Sequence, residues 1–202
     1  LDFTLKGASQ GLLEPTQRAS SQVKKAVLAL PEGMTVNPSL GAGLGVCTPA
    51  QYAAETVTSA PGAGCPNASQ IGELTVKSPL VNGEIKGGLF LAQPDDPLSA
   101  GKENPFDSLL ALYLVAKAPD RGVMVRLAGK TIADPASGQL TTTFDGLPQL
   151  PYETFNVHFR DGQRTPLATP ATCGVYSTRI ELTPWLDPGD PAAFPSPFKL
   201  DA

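Results

Sequence analysis

Leu109-Leu110-Ala111-Leu112-Tyr113-Leu114-Val115-Ala116 is a continuous apolar run closed by Lys117. A strand with apolar side chains on both faces cannot turn either face to water without leaving a sticky patch. The run is therefore expected as a central strand, buried on both sides. Val123 to Ile132 is a second run, and Asp120-Arg121-Gly122 between them has the composition of a turn that folds one back on the other.

Outward from this pair, the same grammar repeats. Asp134-Pro135-Ala136-Ser137-Gly138 is a turn, and Leu140-Thr141-Thr142-Thr143-Phe144 returns from it. Phe155-Asn156-Val157-His158-Phe159 alternates, with Phe155, Val157 and Phe159 inward and Asn156 and His158 outward. Val175 to Leu182 reads as the last strand. On the N-terminal side, Ile71, Leu74 and Val76 are followed by Ile85, Leu89 and Leu91. Asn82-Gly83 between them is the strongest short hairpin signal in the chain. Asp2 to Lys6, Val23 to Leu30 and Met34 to Val36 add earlier strands. Roughly nine or ten strands at this spacing argue for an all-β, antiparallel β-sandwich of jelly-roll type. One short helix is expected near residues 49–56: Thr48 is a good N-cap, Pro49 suits the first helical position, and Gln51 completes a capping box.

After Trp185 the composition turns to Pro, Asp and Gly. Residues 1–185 are read as the sandwich domain and 186–202 as a linker or C-terminal tail. The opening Leu1-Asp2-Phe3-Thr4 is no signal peptide, and with the loose end it suggests a segment of a longer chain.

The 202 residues are 41% hydrophobic and 17% charged, with 20 Gly and 21 Pro scattered between the apolar runs. That is a folding composition rich in turn-formers. The formal net charge is −4, and Lys and Arg form no cluster. Nucleic-acid binding needs a basic face to neutralise phosphates, so it is excluded as an expectation. No apolar stretch is long enough for a membrane-spanning helix, so no membrane insertion is expected.

Of the 3 cysteines, Cys47 and Cys65 flank the short helix and its Ala/Gly/Pro-rich exit. A disulfide there would close a loop with little apolar mass of its own and stabilise by roughly 3 kcal/mol. Such a bridge implies an oxidising compartment. Cys173 is left over, either free or bridging to a neighbouring module.

Catalytic chemistry is hard to find. His158 is the 1 histidine, and it falls on the polar face of its strand. No nucleophile elbow, zinc-protease helix or dinucleotide loop is present. Gly41-Ala42-Gly43-Leu44-Gly45 lacks the Lys-Ser/Thr that would meet phosphates and reads as a plain turn. The expectation is a non-enzyme with no cofactor. A weak calcium candidate is the acidic loop with Asp95, Asp96, Glu103 and Asp107, although Lys102 sits among them and the spacing matches no EF-hand.

Several stretches form an ordered set. They are Leu30-Pro31-Glu32-Gly33-Met34-Thr35-Val36-Asn37-Pro38, Gly45-Val46-Cys47-Thr48-Pro49-Ala50-Gln51-Tyr52, and Gly64-Cys65-Pro66-Asn67-Ala68-Ser69-Gln70-Ile71-Gly72. Gly138-Gln139-Leu140-Thr141-Thr142-Thr143-Phe144, Leu147-Pro148-Gln149-Leu150-Pro151 and Cys173-Gly174-Val175-Tyr176 complete it. Together they resemble a domain of large, secreted, multi-domain actinobacterial surface proteins. The resemblance implies an extracellular or cell-surface location and neighbouring domains in the same chain as partners. It brings no catalytic residues with it. The function expected at this point is a non-catalytic structural or adhesive module of a secreted cell-surface protein. The alternative is a carbohydrate-binding module, with cell-wall or extracellular polysaccharide as partner. An exposed coplanar pair such as Tyr113 and Tyr152 would favour that alternative, because sugars stack on flat aromatic platforms.

Overall fold

The computed structural model describes residues 2–4, 21–37, 45–60, 63–93, 110–162 and 165–201. The chain is all-β and antiparallel. Its strands are β1 (Asp2–Thr4), β2 (Val23–Ala29), β3 (Thr35–Val36), β4 (Gln70–Ser78), β5 (Val81–Ala92) and β6 (Leu110–Ala118). They continue with β7 (Val123–Ala133), β8 (Leu140–Asp145), β9 (Thr154–Phe159), β10 (Leu167–Ala168), β11 (Gly174–Pro184) and β12 (Ala192–Leu200). Among the described residues one α-helix, α1, spans Pro49–Ala53.

Ten strands form one sheet in the order β1-β9-β4-β5-β6-β7-β8-β2-β11-β12, and β3 and β10 form a separate pair. Phe159 of β9 and Phe198 of β12 line the same interior space although many strands separate them in the sheet. The sheet therefore curls on itself, and a single hydrogen-bonded sheet supplies both walls of a sandwich-like interior.

β6 occupies the centre of the sheet, between β5 and β7. Successive side chains point to opposite faces. Leu110, Leu112, Leu114 and Ala116 face the concave interior. Ala111, Tyr113 and Val115 face outward, where they pack with Phe90, Ala92 and the two bridged cysteines. Both faces are covered, which is why this strand tolerates an unbroken apolar sequence.

Three elements differ in detail from their sequence expectation. The β4–β5 hairpin forms, but its tip is Pro79-Leu80, because Ser78 pairs with Val81. Asn82 and Gly83 lie inside β5 at a register shift, with Gly83 at φ +103°. The backbone freedom that makes Asn-Gly a turn former serves a bulge instead. The helix keeps its capping box, Thr48 Oγ1 accepting from the Gln51 N–H and Gln51 Oε1 from the Thr48 N–H, yet it stops at Ala53, short of residue 56. The stretch expected as a linker or C-terminal tail contains a strand. Ala192–Leu200 forms β12 and pairs with β11 from Gly174 to Leu182. Pro195 and Pro197 argue against a strand in the middle of a sheet. β12 is an edge, where missing N–H donors are tolerated and blunt further pairing.

Candidate functional site

The concave face of the sheet encloses an apolar cavity of about 800 Å³. That is within the size range of pockets for small organic ligands. Its wall comes from alternate residues of the strands around the curl. Leu74, Leu89 and Leu114 are closely packed, at 2%, 5% and 4% exposure. Leu112, Val125 and Phe144 pack against the same core cluster and line the same interior, yet they are only half-buried. Protein interiors normally close to crystal-like density. Here the curled walls leave a space between them.

Three polar side chains of the wall, Ser78, Thr131 and Thr142, are hydrogen-bonded within it. The Thr131 and Thr142 hydroxyls share a hydrogen bond of 2.8 Å across β7 and β8. The Ser78 hydroxyl donates to the Pro151 carbonyl at 2.8 Å. No buried side-chain nitrogen or oxygen among the described residues lacks a hydrogen-bond partner. The lumen thus presents mostly hydrocarbon, and an apolar space of this kind suits an apolar guest.

One end of the cavity is crossed by residues 146–153, which lead from β8 to β9. The segment is held by the Leu147 N–H on the Lys24 carbonyl, by Trp185 Nε1 donating to the Leu147 carbonyl at 3.0 Å, and by the Glu153 N–H on the Lys77 carbonyl. Leu147, Leu150 and Tyr152 of this segment line the cavity. Burial moves the Tyr152 hydroxyl far above its ordinary pKa. It stays neutral at every physiological pH.

On the outer face, α1 is pinned over β6. Cys47 and Cys65 form a disulfide, and both are fully buried. Tyr52 stacks on Tyr113 with ring centroids 3.9 Å apart and planes within 6°. Arg126 lies 5.4 Å from the Tyr52 ring centroid and donates to the Tyr52 and Ala53 carbonyls at the helix end. Burial, only partly offset by Arg126, pushes the Tyr52 hydroxyl up to about 12. Glu55, at 4% exposure, forms an ion pair with Lys117 and accepts from the Ser59 hydroxyl and the Cys65 N–H. Burial alone would raise its pKa, but the hydrogen bonds from Lys117, Ser59 and Cys65 outweigh it and hold the carboxyl below its ordinary value. Residue 64 must be glycine here, since a Cβ would stand 2.5 Å from the Glu55 carboxyl carbon. This cluster fastens a helix to a sheet. Its carboxylate is buried and fully engaged, so it has no access to a substrate.

The sequence-predicted residues fall as follows. Cys47 and Cys65 pair; Cys173 is free and exposed. His158 points outward from β9, 3.1 Å from Asp161, while Val157 beside it is buried. Asp95, Asp96, Glu103 and Asp107 lie outside the described residues. Among the described residues, no group of three or more His, Cys, Asp or Glu is placed to hold a metal ion. Tyr113 is buried at 3% exposure and its stacking partner is Tyr52, so Tyr113 and Tyr152 make no exposed platform. The cavity itself is the feature that sequence reasoning missed. Its inward face is built mainly of Leu and Val, and their alternation in the sequence gives no sign that a space is left between the walls.

No family model, no curated protein and no solved structure matches the chain. The functional reading stands on the cavity.

Proposed function

We propose that this domain is a binding module for an apolar ligand, carrying hydrocarbon inside its curled sheet as part of a secreted bacterial surface protein. The observation that supports this best is the cavity of about 800 Å³, whose wall is mostly Leu, Val, Ile and Phe. Each methylene moved from water into such a lumen gains about 0.8 kcal/mol. The same wall argues against catalysis, because acid–base or nucleophilic chemistry needs a titratable group at the reacting atoms. Arg121 is the one charged residue lining the cavity among the described residues, and a guanidinium neither gives up its proton nor attacks.

The extracellular assignment rests on the buried Cys47–Cys65 bridge, since such bonds persist in oxidising compartments. The adhesive role expected from sequence becomes, in this reading, a module that sequesters or presents a lipid-like molecule beside its neighbouring domains.

The experiment is to extract the purified protein with organic solvent, identify co-purifying amphiphiles by mass spectrometry, and titrate the refolded protein with a neutral naphthylamine fluorophore. The reading predicts saturable enhancement at one site. It predicts loss of that site in Leu112→Trp, whose indole fills the lumen, with the fold retained by circular dichroism. Val125→Phe serves the same purpose should the tryptophan prevent folding. Absence of saturable binding in the extracted wild type would refute it.

A further inference from the structure

We propose that the ligand is an amphiphile with an anionic head, held with its chain in the lumen and its head at Arg121. This rests on the cavity-binding reading and adds the head group to it.

The mouth is located by strand register. Lys86 pairs with Lys117 and Ala118 with Val123, so the β4–β5 tip and the β6–β7 turn lie at one end of the sheet. β8 runs toward the same end, because Phe144 pairs with Gly129 and β8 then leads to the crossing segment 146–153. Two large apolar side chains at this end line the cavity and are nevertheless exposed: Leu80 at 61% and Leu150 at 39%. Exposed leucines on the lip of an apolar cavity mark where its interior meets solvent, and they are the surface a hydrocarbon chain slides across on entry.

Arg121 stands on this lip. It ends the short helical turn Pro119–Arg121, and Gly122 follows at φ +65°, so proline and a left-handed glycine fix the backbone on either side. Arg121 is among the residues that line the cavity, and it is exposed. The acids at this end, Glu84, Asp120, Asp145 and Glu153, make no ion pair with it. Lys77 and Lys86 lie outside the cavity wall, and both are within ion-pair distance of Glu84. The lip therefore combines hydrocarbon with one planar, permanently charged donor whose geometry suits carboxylate or phosphate oxygens. A cationic head would be repelled there, and an uncharged head would offer the guanidinium only a neutral acceptor, weaker than an anionic one.

The test compares hexadecanoate, hexadecyl phosphate and hexadecanol, three ligands with the same chain and different heads, by displacement of the naphthylamine fluorophore. Wild type is expected to bind both anions about threefold to fivefold tighter than the alcohol, the range of an exposed ion pair. The advantage should shrink as salt is raised. Arg121→Gln should bring the ratio to about one, and Arg121→Glu should reverse it. Lys86→Gln, which removes a nearby positive charge outside the cavity, should leave the ratio as in wild type. Equal ratios in wild type and Arg121→Glu would overturn the head-group assignment while leaving cavity binding intact. Failure of all three ligands to displace the fluorophore from wild type would remove both.

Discussion

The Phe144 ring lies over its cross-strand partner Gly129, so close that a Cβ at residue 129 would stand 2.5 Å from the ring. The ring occupies the space that a side chain on β7 would otherwise fill, the device by which an aromatic covers a glycine in a sheet. Phe144 lines the cavity, and its position is therefore set by the missing Cβ. Gly129→Ala should push the ring into the lumen, cost about 1–3 kcal/mol as overpacking does, and weaken binding of the fluorophore. Thermal melts and one titration check both halves; a variant with wild-type affinity would mean that the ring does not border the occupied space.

Gly87 makes a stricter demand. A Cβ there would lie 1.9 Å from the Val115 carbonyl oxygen, a backbone atom of the central strand that cannot swing aside. Gly87→Ala should separate β5 from β6 and yield little soluble protein, whereas Gly138→Ala, with open space around it, should fold with only the modest penalty of its φ of +71°. Comparable soluble yields of the two would contradict the close approach of these strands.

How far the fold can be read from the chain depends on what each residue pattern specifies. β6 is legible because both of its faces are apolar, and only a doubly covered strand can be so. The capping box at Thr48 and Gln51 is legible because it is local chemistry. β12 is not, because Pro195 and Pro197 forbid a central strand and say nothing against an edge. Asn82-Gly83 misplaces a hairpin tip by a few residues, since positive φ serves a turn and a bulge alike. The cavity is hardest of all. Leu112 and Leu114 carry the same alternation signal and line the same cavity, yet one is half-buried and the other is 4% exposed. Alternation tells which way a side chain points and not whether the opposite wall reaches it.

The disulfide closes a separation of 18 residues around α1, and its removal in Cys47→Ala/Cys65→Ala should cost roughly 3 kcal/mol. The loss should appear as a lower denaturation midpoint. The cavity, on the other face of β6, should still bind. Mass spectrometry of unreduced peptides should show Cys47 joined to Cys65 and Cys173 as a free thiol.

Glu55 makes stability depend on pH in a definite direction. Its carboxyl is held below its ordinary value in the folded state, so the folded state favours the ionised form. The contribution is complete above the unfolded carboxylate value, about 4.3. It is lost as pH falls through the lower folded value. Glu55→Gln should flatten the acid side of the stability profile. Lys117→Met, which leaves the carboxylate buried without its partner, should cost about 3–5 kcal/mol near neutral pH. An acid limb in Glu55→Gln as steep as in wild type would assign the dependence to other groups.

The most direct test of the central claim is a chain-length series of straight-chain alcohols titrated against the solvent-extracted protein. With the chain in a dry apolar lumen, Kd should fall about fourfold for each added methylene, the equivalent of about 0.8 kcal/mol, until the lumen is filled and the series levels off. A Kd that does not change with chain length, or no saturable binding of any member, would contradict the account.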